Sequence, residues 1–299
     1  MSEQSLPSYG GQAVIEGVMM RGSKGVAIAM RAPDDEIVLH TEELGSIYQS
    51  KWAKVPFLRG LVMLWDAMGL GMRALTISAN TQGDEDEQIE GPMLYVTLAI
   101  SLSFAILLFF LTPATAGHYL GEWLKIESAW LTNLVEGIIR ILILVGYIWL
   151  ISRMEDIQRV FGYHGAEHKV INAFEDGAEL TPEVVQTYSL EHPRCGTAFL
   201  LTVMVFSVIL FTLLGPIDSI WLKLLTRIVL VPVLAGISYE YIRWTAKHLD
   251  SKFVQAIIKP NLALQHLTTN PPDLKMLEVS IASFNAMRAQ EEAEAVSVL

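Results

Sequence analysis

The sequence predicts a mainly α, polytopic helical membrane protein, with about four spanning helices and a small cytoplasmic α+β N-terminal portion. Three observations predict it. Hydrophobic residues make up 52% of the 299 residues and charged residues 18%, where a soluble domain carries about 25% charged. Four apolar stretches have the length needed to cross a bilayer. The basic residues gather in the segments that would then share one side.

Residues 1–90 form the N-terminal region. Its opening, MSEQSLPSYGGQAVIEG, lacks a basic segment followed by an apolar run, so no secretory signal peptide is expected. Val26–Leu39 alternates apolar and other residues on both sides of a Pro-Asp-Asp turn and predicts a β-hairpin. Phe57–Ile77 repeats Leu61, Leu64, Trp65, Met68, Met72 and Leu75 at helical spacing. Packing on the rest of the domain is favoured for that helix over lying in the membrane interface. The acidic run Gly83–Glu90 reads as a solvated linker.

Residues 91–151 hold the first two spans. Met93–Leu111 is uncharged. Trp130–Ile151 carries Glu136 and Arg140 on one helical face, so the pair neutralises itself or faces the bundle interior. Residues 152–196 form a loop. Residues 197–242 hold the other two spans, uncharged Thr197–Leu214 and Leu224–Ile242, where Arg227 is expected to snorkel to the interface. Residues 243–299 are a tail. The first inter-span connection carries only Lys125 and the last none before Lys223. The other connections hold most of the Lys and Arg residues. Both termini and the 152–196 loop are therefore expected on the cytoplasmic side of the cell membrane.

The net charge of −11 argues against nucleic acid as a partner. The expected partners are the lipid bilayer and a substrate or protein whose identity the residues leave open. A single cysteine, Cys195, excludes an intrachain disulfide.

The chemistry concentrates in Tyr163–Gly177, YHGAEHKVINAFEDG. His164 and His168 are four apart and share a helical face, so both imidazoles can reach one tetrahedral cation. Glu167 beside them is the candidate catalytic base. The spacing matches H-x-x-E-H, although hydrated histidines on a soluble helix show it too. A third ligand is needed. Glu175 lies about 10 Å along the axis from His168, too far to share the metal. His192, just before the third span, and Glu240, at the end of the fourth, lie on the same side and are the candidates. His192 reads equally well as a turn residue, and Glu240 also suits a pair with Arg243 or Arg153. Cys195 reads better as a small buried hydrophobe. Arg194, Cys195, Glu175 and Glu16 are candidate supports, Glu16 in a tight turn between glycines. The implied cofactor is a divalent metal such as Zn²⁺, since ligand type alone does not select the ion. No residues for an organic cofactor stand out.

Five segments in fixed order, GGQAVIEGVMMRG, GYHGAEHKVINAFEDG, HPRCGTAFL, AGISYE and LQHLTT, resemble the YqhQ-like bacterial membrane family. The resemblance spans Gly10 to about Ser283. It implies a membrane location and a domain of unknown function credited with metal-dependent chemistry. By motif it implies His164 and His168 as metal residues, with Glu167 beside them. One departure follows Pro260, where a glycine would be expected in a turn. The leading expectation is a metal-dependent membrane hydrolase at the cytoplasmic face. The alternative is a non-catalytic membrane scaffold or assembly factor. Metal transport is weaker, because Glu136 is the only mid-membrane carboxylate.

Overall fold

The computed structural model describes residues 9–44, 55–83, 92–215, 217 and 219–297. Apart from Gly83, the acidic run Gly83–Glu90 lies outside them.

The N-terminal segment folds as a four-stranded antiparallel meander, β1 (Gly10–Val14), β2 (Gly17–Arg21), β3 (Gly25–Arg31) and β4 (Ile37–Glu43), in that order. The expected hairpin is β3–β4, with Ala29 opposite Leu39. A second hairpin, β1–β2, turns at Ile15 and Glu16, with Val14 opposite Gly17. Alternation along the strands sends Val18, Met20, Ala27 and Ala29 to one face and Met19, Val26, Ile28 and Met30 to the other.

Both faces are covered. Helix α1 (Leu58–Gln82) lays Leu70, Ala74, Leu75 and Ile77 on the Met19 face. Trp65 and Met68, on the same helix, stay exposed. The Val18 face packs against α5 (Glu155–Glu175) and α10 (Leu274–Ser297) through Tyr163, Val170, Leu277 and Phe284. The N-terminal region, the 152–196 segment and the tail therefore share one core, at one end of the helical bundle.

Among the described residues, four helical stretches are long and apolar enough to cross a membrane: Tyr95–Trp123, Trp130–Ile151, Gly196–Leu213 and Trp221–Lys247. The first joins α2 (Pro92–Ile106) to α3 (Thr112–Trp123) through a π-helical stretch at Leu107–Leu111. It continues past the expected end at Leu111 because Pro113 falls in the first turn of α3, where a missing N–H is tolerated. The others are α4 (Ala129–Ile151), α7 (Gly196–Leu213) and α8 (Ile220–Lys247).

Arg227 does not snorkel. It is 2% exposed, because the Glu136 carboxylate and the Phe211 ring hold it inside. Short α6 (Pro182–Val185) follows α5, and α9 (Lys252–Gln265) precedes α10. The expected turn after Pro260 is instead the interior of α9, where Asn261 is buried and donates to Thr202 Oγ1.

Candidate metal centre

Helix α5 builds the site by gripping the segment that follows it. His168 Nδ1 donates to the Leu190 carbonyl at 2.5 Å. The Lys169 ammonium donates to the Gln186 carbonyl at 2.7 Å and also to that of Tyr188. Asn172 donates to the carbonyls of Ser189 and Glu191 at 3.0 and 3.1 Å. Glu175 pairs with Arg194. Four side chains on one side of the helix thus pin residues 186–194 along it, which delivers His192 and Cys195 next to the two histidines.

The end of α9 holds the other side. Gln265 clamps the His192 backbone, accepting from its N–H at 3.0 Å and donating to its carbonyl at 2.9 Å. The Thr268 carbonyl accepts from His164 Nδ1 at 2.8 Å. Close approach is needed for this. A Cβ on Gly165 would collide with the Asn270 carbonyl oxygen and come within 2.8 Å of Leu190 Cδ2.

A carbonyl only accepts, so both Nδ1 atoms carry a proton, and Nε2 is the atom each ring has left to offer a cation when neutral. His164 Nε2 lies 3.2 Å from Cys195 Sγ. His168 Nε2 is buried without a partner. One ligand atom each from His164, His168 and Cys195 lie within 4.8 Å of one another. The rings of His164 and His168 are 4.4 Å apart and that of His192 is 5.6 Å from His168. His192 Nε2 is likewise buried and unpartnered. Burial above all, with the Arg194 guanidinium also nearby, pushes its pKa down to about 3, so it is neutral at physiological pH. Cys195 caps α7, with its sulfur accepting from the Thr197 N–H at 3.4 Å.

Two imidazole nitrogens and one thiol sulfur, each backed by a fixed partner, fit a borderline-soft divalent cation such as Zn²⁺. The orphaned Nε2 of His168 is the observation that tests the fit.

The family model described as "Protein of unknown function (DUF1385)" matches residues 55–290. The chain belongs to this family. It is 35% identical over 301 residues to the uncharacterized protein YqhQ of Bacillus subtilis (strain 168), covering 94% of this chain and 92% of the relative. No solved structure matches. The DUF1385 match takes in α5, the 186–195 segment and the end of α9, and so every residue of the cluster.

Other expected site residues are distributed differently. Glu240 is held away by a pair with Arg59 of α1, and it also accepts from the Phe57 N–H at 3.0 Å. It lies there because the last turns of α8 pack on α1. Glu167 lies about 100° round the helix from His168 and points to β1. There a Gly11 N–H donates to it, and a Cβ on Gly11 would come within 3.0 Å of its carboxyl carbon. Burial pushes its pKa up, and that N–H opposes the shift. Glu16 ties the β1–β2 turn to α5 through Arg159 at 2.5 Å and the Tyr163 hydroxyl at 3.2 Å. Glu175 and Arg194 act on each other, as above.

Sequence reasoning favoured a buried-hydrophobe role for Cys195 and assigned none to Gln265 or Thr268. The LQHLTT segment was the available signal for the last two.

Proposed function

We propose that the protein is a membrane-embedded, metal-dependent hydrolase working at the cytoplasmic membrane face. The observation that carries this is the convergence of His164, His168 and Cys195, whose ligand atoms lie within 4.8 Å of one another, with both histidines held at Nδ1 by backbone carbonyls. A divalent cation held there would supply Lewis acidity toward a substrate oxygen. His192, neutral and unpartnered at Nε2, would hydrogen-bond a polar group of the substrate beside it. Glu167 would brace α5 on β1.

The membrane orientation belongs to the same proposal. The shared core of the three soluble segments requires an even number of crossings between them, as two pairs of spans provide. Trp123, Trp130 and Trp221 are exposed at one end of the bundle and Trp149 and Trp244 at the other, as in interfacial aromatic belts. The Lys and Arg bias supports a cytoplasmic position for this end. The lipid bilayer would cover the outward apolar faces.

The test is hydrolysis of membrane-presented esters and peptides by metal-loaded protein in nanodiscs, beside Cys195→Ser and His192→Gln. Activity lost in Cys195→Ser and impaired in His192→Gln is expected. A metal-replete wild type that cleaves neither class contradicts the hydrolase.

A further inference from the structure

The half of the bundle farther from His164 contains a second buried cluster, which the metal centre does not use. Glu136 on α4 is its carboxylate. Arg140 Nη2 lies 2.8 Å from Glu136 Oε1, Lys223 Nζ 2.5 Å from Oε2 and Arg227 Nη2 3.5 Å from Oε1. The side chains of Glu136, Arg140 and Arg227 are each 2% exposed and that of Lys223 13%. Among the described residues, three cations thus face one anion, an excess of two formal positive charges among apolar helices. Removing even a paired ion from water costs several kcal/mol, and an unmatched one costs more.

Part of the excess is accommodated. Pro113 has no N–H for the carbonyl four residues before it, and that carbonyl, Phe109's, accepts from Arg140 Nε at 3.1 Å. The Arg227 guanidinium stacks 4.0 Å from the centre of the Phe211 ring. These contacts supply no negative charge. Nε and Nη1 of Arg227 are buried with no partner at all, whereas buried guanidinium donors are ordinarily all bonded.

We infer that the cluster binds a phosphate-type oxyanion, seated against Arg227 and reached from the Lys223 side. A tetrahedral oxyanion has enough acceptor oxygens to serve Arg227 and Lys223 together. A dianion matches the excess charge, which a halide or a single carboxylate does not. The phosphate could come from a lipid headgroup entering between helices or from free phosphate. This inference stands on residues separate from the metal centre.

The experiment is calorimetric titration of the full chain in nonionic detergent with three probes: inorganic phosphate, dioctanoyl phosphatidate and uncharged dioctanoylglycerol. The expected result is near-stoichiometric binding of a phosphate-bearing probe and none of dioctanoylglycerol. Arg227→Gln should weaken binding about tenfold or more, the usual scale for a lost charge-assisted contact. Glu136→Gln, which removes the competing carboxylate, should bind at least as tightly as wild type. Phosphatidate alone binding identifies a lipid headgroup, and binding of both phosphates identifies a free phosphate group as sufficient. No binding of either phosphate overturns the inference. So does dioctanoylglycerol binding as tightly as phosphatidate, or unchanged affinity in folded Arg227→Gln. If Arg227→Gln does not fold, weakened binding in Glu136→Gln overturns it and retained or tighter binding supports it.

Discussion

Cys195 Sγ lies 3.2 Å from His164 Nε2 although 31 residues separate them in the chain. The contact exists because α5 pins residues 186–194 along its own flank while the end of α9 fixes His192 and His164 from the other side.

Gly165→Ala should lower stability by about 1–3 kcal/mol, the usual cost of overpacking, because its Cβ meets the Asn270 carbonyl. Better helix propensity returns less than about 1 kcal/mol. Thermal unfolding should show a lower Tm. An unchanged or higher Tm would mean that α5 and the Asn270 segment are not in close contact.

Gln265→Leu should cost about 1–3 kcal/mol, because the buried His192 N–H and carbonyl each lose a partner. It should also weaken metal binding by loosening the segment that carries Cys195. Denaturant unfolding and metal titration read the two effects separately. Wild-type values in both would remove Gln265 from the site.

Much of the fold was legible because apolar length is a local property. Trp130–Ile151 was read to the residue, and the Val26–Leu39 alternation marked a real hairpin. What failed depended on tertiary partners. Arg227 looked like an interfacial snorkel until Glu136 and Phe211 supplied an interior environment. Glu240 was read as a ligand or as a partner of Arg243 or Arg153, and the structure pairs it with Arg59 on α1. His164 and His168 could be paired from spacing alone, whereas Cys195 joins them only through the fold-back of residues 186–194.

Glu167→Gln should retain metal at the wild-type level, since the Glu167 carboxylate meets Gly11 and lies outside the three-ligand group. Mass spectrometry of metal content decides this. Loss of metal in a folded Glu167→Gln protein would bring Glu167 into the ligand set.

Acid should weaken the tie between β1–β2 and α5. The hydrogen bond from Arg159, more than the opposing burial, holds the Glu16 carboxyl below the usual carboxylate range. A lowered folded value contributes stability above the ordinary Glu pKa of about 4.3, and that contribution is lost as pH falls through the folded value. Wild type should therefore exceed Glu16→Gln in stability near neutrality, with the gap closing below pH 4. Thermal unfolding across pH 3–8 measures it. A gap that persists or grows in acid would contradict the Arg159 contact.

The measurement that bears most directly on the metal centre is metal content by mass spectrometry of detergent-purified wild type, His164→Ala/His168→Ala and Cys195→Ser, each loaded with Zn²⁺ and desalted. About one equivalent in wild type, none in the double variant and strongly reduced metal in Cys195→Ser is the predicted result. A folded wild type that retains no metal, or a double variant that retains as much as wild type, would contradict it.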